Sequence, residues 1–124
     1  MNLNQVTVSV RNVAEAVEFY RKLGLVQIVD SPHYARFECP DGSATFSVHL
    51  AETIAENSGT VIYFECGDLD AKVAELEKLG IEFDSKPTMK SWLWREARLK
   101  DPSGNRICLF YAGENRKNPP WRIL

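Results

Sequence analysis

Gln5, His49, Glu65 and Glu96 are side chains with the chemistry to hold a divalent cation: an amide oxygen, an imidazole and two carboxylates. Such a mixed set suits Zn, Ni, Mn or Fe without choosing among them. Glu65 and Glu96 are also the candidate catalytic residues, because a carboxylate can act as general base toward a bound substrate. Around them, Tyr63, Trp94 and Phe110 offer rings to a planar or apolar ligand, and Arg98 offers a fork to a carboxylate or phosphate. Cys108 brings a thiol to the same side, read as inert in preference to a nucleophile or soft ligand because no base or cation is tied to it. An alternative explains the same residues. Glu65 and Glu96 would pair with Arg98 or Arg106, His49 would be a surface histidine at a strand end, and the rings would cover an ion pair. His33, beside Ser31 and Pro32, reads as exposed.

These residues converge only if strands place them. Trp92 to Tyr111 reads as two strands around the turn Asp101-Pro102-Ser103-Gly104-Asn105. Period-two alternation puts Leu93, Ala97, Leu99, Ile107 and Leu109 on one face. Trp94, Glu96, Arg98, Arg106, Cys108 and Phe110 fall on the other. Upstream, Gln5–Val10 alternates as a strand, with Gln5, Thr7 and Ser9 on one side. Asn12 caps a helix whose apolar stripe is Val13, Ala16, Val17, Tyr20 and Leu23, and Gly24 stops it. Strands follow at 25–29, 34–39 and 44–50.

The same order then returns. Val61–Cys66 is a strand, Asp68 caps a helix with Leu69, Val73, Leu76 and Leu79, Gly80 ends it, and Ile81–Phe83 starts the next strand. The spacing from Asn12 to Asp68 equals that from Gly24 to Gly80, so the chain repeats a βαβββ unit in register. A single α+β domain over 1–124 is expected, with module one at about 3–50, a linker at 51–59, module two at about 60–112 and a tail at 113–124. One helix covers one sheet face, so the two modules would share the other as a cupped mixed sheet. The tail reads as too proline-rich for another helix, and Trp121, Ile123 and Leu124 should pack on the domain or on a second copy.

The whole chain narrows the partners. A net charge of −2 over 124 residues with mixed signs offers no basic field for nucleic acid or an anionic membrane. No apolar run is long enough to span a bilayer and no signal-peptide pattern opens the sequence, so a cytoplasmic location is expected. Cys39, Cys66 and Cys108, odd in number, argue against a disulfide framework. A small-molecule ligand is the expected partner.

The duplicated unit, NxxEAVEFYRKLGL after the first strand, GDLDAKVAELEKLGI after the fifth and DPSGN before the last together resemble the vicinal oxygen chelate superfamily. That superfamily includes glyoxalase I, extradiol dioxygenases and bleomycin-resistance proteins. The resemblance implies a glyoxalase-like fold, one divalent metal ion and commonly a homodimer. It further implies a lyase or isomerase acting on a substrate with adjacent oxygens. The alternative it also implies is a non-catalytic binding or sequestering protein of the bleomycin-resistance type. In metal-using members the ligands lie on the first, fourth, fifth and eighth strands, which here fall on Gln5, near Ser47, on Val61 and on Cys108. A valine cannot coordinate, so any metal would need the displaced set Gln5, His49, Glu65 and Glu96.

Overall fold

The computed structural model describes residues 1–55 and 58–124. They form two compact units, Met1–Gly59 together with Asp101–Asn105, and Thr60–Lys100 together with Arg106–Leu124. Each holds one α-helix and one four-stranded mixed sheet, so the chain is α+β, built of two βαβββ modules.

In the first unit β1 (Gln5–Val10) leads through α1 (Val13–Leu23) to β2 (Val26–Ser31), β3 (Tyr34–Glu38) and β4 (Thr45–Leu50). The strand order is β1-β4-β3-β2, with β1 parallel to β4 and the other pairs antiparallel. The helix starts where the Asn12 side chain accepts the Glu15 N–H at 2.9 Å, and it ends on left-handed Gly24 at φ 105°. Val13, Ala16, Phe19, Tyr20 and Leu23 turn inward, and Val10, Ala35, Phe37, Phe46 and Val48 are buried apolar side chains of the sheet. The Tyr20 and Phe46 rings sit 4.6 Å apart. Each large apolar side chain removed from water here contributes about 1.5–3 kcal/mol. Phe19 joins the buried stripe, whereas Val17, placed there by the sequence reading, stays half-buried.

The turn Asp101–Asn105 completes this unit. Tyr20 donates its hydroxyl to Asp101 Oδ2 at 2.7 Å, while Asp101 Oδ1 accepts the Ser103 and Asn105 N–H groups at 2.9 Å each. The Asn105 amide donates to Ser9 O at 2.9 Å, and the Arg11 N–H to Ser103 Oγ at 2.9 Å. Burial, reinforced by the Asp101 charge, pushes the Tyr20 phenol far above its ordinary pKa, so it remains the donor.

The second unit repeats the plan with β5 (Val61–Glu65), α2 (Leu69–Lys78), β6 (Ser85–Met89), β7 (Arg95–Lys100) and β8 (Arg106–Tyr111), in the order β5-β8-β7-β6. Asp68 caps α2 by accepting the Ala71 N–H at 3.1 Å. Leu69, Val73 and Leu76 from the helix are buried, as are Ala97, Leu99, Ile107 and Leu109 from the strands. Arg95 on β7 forks onto Asp70 of α2 at 3.0 and 2.8 Å.

Four expectations need correction. The strand expected at 81–83 begins only at Ser85, because Ile81 is spent packing inward beyond the helix. Leu79 is exposed, since α2 ends at Lys78 and the stripe ends with it. Leu93 leaves the alternation altogether. Its φ of 67° is left-handed, in a turn closed by Leu93 N–H to Lys90 O at 3.0 Å and Lys90 N–H to Trp94 O at 2.8 Å. The tail does form a short helix, a 3-10 turn at Gly113–Arg116, while Trp121, Ile123 and Leu124 remain exposed rather than packing on their own unit.

Candidate functional site

Strand register decides which side chains meet. On the second sheet Tyr63 (β5), Cys108 (β8) and Arg98 (β7) form one row across the strands, and Glu65, Phe110 and Glu96 form the next. Directly paired residues share a face, so the expected faces of β5, β7 and β8 hold. Trp94, one residue before β7, stacks on Phe110 with centroids 4.8 Å apart and planes 21° apart. Tyr63 meets both rings edge-on, at 5.9 Å from Trp94 and 5.6 Å from Phe110. Phe110 is buried to 4% exposure, whereas Tyr63 keeps 44%. The cluster therefore has a closed floor and one open ring.

Charge borders these rings. The Arg98 guanidinium stands 5.7 Å from the Tyr63 centroid, a cation–π distance, and donates from Nη2 to Glu96 Oε1 at 2.8 Å. Glu96 is 2% exposed, and its other oxygen accepts the Trp92 indole N–H at 2.7 Å. The hydrogen bond to Glu96 holds Arg98 firmly in its charged form. Cys108 lies beside this pair. Burial first, then the Glu96 charge, pushes its thiol up to about 12, so it is neither nucleophile nor thiolate ligand near neutral pH.

Glu65 serves a different neighbour. Its Oε2 accepts the Ala112 N–H at 2.8 Å and the Gly113 N–H at 3.0 Å, and Oε1 lies 3.7 Å from Arg116 Nε. The 3-10 turn so held also receives the Trp94 indole N–H on Asn115 O at 3.3 Å. With β8 between them, Glu65 and Glu96 stand on strands about 10 Å apart by ordinary strand spacing.

The first unit presents a polar sheet face. Rows of Gln5 with Thr45, Thr7 with Ser47 and Arg36, and Ser9 with His49 and Tyr34 cross it. The Gln5 amide nitrogen donates to Ser47 Oγ and to Thr7 Oγ1, while its oxygen accepts from Thr45 Oγ1. His49 is exposed at the strand end. Arg36 donates to the Tyr34 hydroxyl at 2.9 Å, and hydrogen bonding to Ser47, with Arg36 adding to it, lowers the Tyr34 pKa.

The expected metal set does not fit these placements. Both ends of the Gln5 amide are engaged, Glu65 is committed to the tail, and Glu96 to Trp92 and Arg98. His49 contributes one imidazole with no carboxylate on its sheet row. Among the described residues, no three His, Cys, Asp or Glu side chains group as a metal site would need. The family positions fare no better, since Val61 has no donor and the Cys108 thiol stays protonated.

Sequence reading missed Trp92, Asn115 and Arg116. The first was hidden because its partner Glu96 lies four residues away around a turn rather than along a strand. The other two sit in a segment dismissed for its prolines.

The whole arrangement has known relatives. A family profile described as "Glyoxalase/Bleomycin resistance protein/Dioxygenase superfamily" matches residues 2–109. No curated protein matches by sequence at a significant level. Among solved structures, a glyoxalase/bleomycin resistance protein/dioxygenase from Nocardioides shares 22% identity over 100% of this chain and 90% of its own, with a TM-score of 0.76. A lactoylglutathione lyase from Agrobacterium tumefaciens shares 16% identity over 89% of this chain and 92% of its own, with a TM-score of 0.72. A bleomycin-binding protein solved in complex with bleomycin shares 17% identity over 90% of this chain and 98% of its own, with a TM-score of 0.73. At these identities the structures speak for the fold, and the profile, which spans most of the chain, for the family. The chain belongs to the glyoxalase/bleomycin resistance protein/dioxygenase superfamily.

Proposed function

We propose that this protein binds a small, largely planar organic molecule on the aromatic face of its second sheet, without a metal ion. One observation carries the reading: Tyr63 stays open to solvent beside a fixed Trp94–Phe110 stack, with the Arg98 guanidinium at its ring. An open ring adjoining a stacked pair gives a flat ligand area to cover, and the guanidinium gives its polar edge a donor. The bleomycin-binding relative supports a binding role for the fold. A metal-dependent lyase or isomerase is the competing reading for a member of this superfamily. It asks Glu65 or Glu96 to act as base or ligand, yet Glu65 holds backbone amides and Glu96 is buried under Trp92.

Titration calorimetry of the full chain in EDTA, with 2-naphthoate, 2-naphthol and bleomycin as probes, tests the proposal. Binding should appear without added metal and weaken about tenfold in Trp94→Ala, the equivalent of a lost ring contact of about 1.4 kcal/mol. Binding that requires Zn, Ni, Mn or Fe would return the metalloenzyme reading to first place. Absence of binding to any probe would count against the aromatic face. A homodimer accompanies this reading, since exposed Trp121, Ile123 and Leu124 form an apolar end suited to a second copy.

A further inference from the structure

We infer that Glu65 is a positioning residue for the binding face: it latches the start of the tail, and the latched tail fixes the Trp94 ring. The inference rests on the proposed binding face for its meaning, but its geometry stands independently.

Three links are on one side of the second sheet. Glu65, the last residue of β5, accepts two successive backbone N–H groups, Ala112 at 2.8 Å and Gly113 at 3.0 Å, on the same oxygen. Those two residues are where the chain leaves β8 and must change direction. Gly113 supplies the change with φ 55°, a left-handed value at which a side chain would be strained and its Cβ would stand 3.0 Å from the Tyr111 hydroxyl. The chain then makes its 3-10 turn, and the carbonyl of Asn115, inside that turn, receives the Trp94 indole N–H at 3.3 Å. Trp94 in turn lies flat on Phe110.

Neither neighbour of the indole fixes it alone. Stacking on Phe110 restrains the ring plane but leaves it free to slide, whereas the hydrogen bond to Asn115 O sets where along Phe110 the ring rests. An acceptor contributed by a backbone carbonyl is only as well placed as its segment. Ala112, the residue at the cap position, has no side chain able to cap the 3-10 turn. Glu65 meets that need, because a carboxylate receiving adjacent amides acts on the turn as a side chain acts on a helix start. Arg116 closes the arrangement from the other end of the turn, 3.7 Å from the second Glu65 oxygen. The ligand class follows from this wall: with Trp94 held against Phe110, ligands flat enough to lie on the exposed Tyr63 ring beside the half-buried indole are admitted, and those needing the indole displaced are refused.

Amide and indole hydrogen exchange, read by NMR on the full chain without ligand, tests the latch. In Glu65→Ala, protection of the Ala112 and Gly113 N–H groups and of the Trp94 indole N–H should fall at least tenfold together, with the α2 amides unchanged. Glu65→Gln, whose amide oxygen can accept the same two N–H groups, should retain most of that protection. Should Glu65→Ala not fold, Glu65→Asp, one methylene shorter, carries the same expectation at smaller amplitude. Unchanged exchange at the Trp94 indole while Ala112 and Gly113 lose protection would overturn the inference. So would Glu65→Gln behaving like Glu65→Ala, since charge pairing with Arg116 would then be the operative contact. Because no ligand enters these readouts, failure of the latch and failure of the proposed binding activity are separately visible.

Discussion

Cys108 shows how far a residue's surroundings redirect its chemistry. A thiol at the strand position where relatives are expected to carry a metal ligand is here fully buried between Tyr63 and Arg98 in its row, with its pKa pushed up to about 12. Iodoacetamide at pH 8 should therefore modify Cys39 and Cys66, both partly exposed, well before Cys108 in the folded protein. Mass mapping of the modified peptides checks the order. The shift also sets an alkaline limit. The folded state holds the Cys108 proton more tightly than the unfolded chain, so its contribution is fully present below about pH 9. It is lost as pH rises from there toward 12, at a slope of at most about 1.4 kcal/mol per pH unit. Urea midpoints at pH 8 and pH 10 should fall in that direction, and less so in Cys108→Ala.

At the level of helices and strands, the two halves are built on the same few local devices. Asn12 and Asp68 each accept one otherwise orphaned N–H at a helix start. Replacing either by Ala should cost about 1 kcal/mol, and because the caps belong to separate units and share no bonding partner the two losses should add. Urea denaturation of the single and double variants measures both statements. Such devices are legible in a sequence because they are short-range. So was the face of each strand wherever alternation ran unbroken, as with Tyr63, Glu65, Glu96, Arg98, Cys108 and Phe110. Reading failed where geometry departs from residue preference. Leu93 takes a conformation usually left to glycine, Ile81 is spent beyond a helix before its strand begins, and a tail with two adjacent prolines still makes a turn. The partners of Glu65 and Glu96 were out of reach for a related reason. Both carboxylates were identified, but what they bond depends on a backbone reversal and a turn, not on period-two spacing.

For the molecule as a whole, the buried Asp101 carboxylate accepts four hydrogen bonds within the first unit, although it belongs to the turn between β7 and β8. Tyr20→Phe removes one donor and leaves the Asn105 amide on the same oxygen, so it should cost about 1–2 kcal/mol. Asp101→Ala leaves the Tyr20 hydroxyl and two amides without an acceptor and should cost about 3 kcal/mol or more. Thermal unfolding of the two variants should rank them so. The repeat invites the thought that the chain could be cut within residues 51–59 and each half expressed alone. A peptide of residues 1–59 would bury the Tyr20 phenol with nothing to receive its proton, and far-UV circular dichroism should find it unstructured. The two halves share one plan, but the first is completed by a loop from the later stretch of the chain. Splitting the gene within residues 51–59 would thus yield an incomplete first product, and the two repeats should work only when one reading frame encodes both.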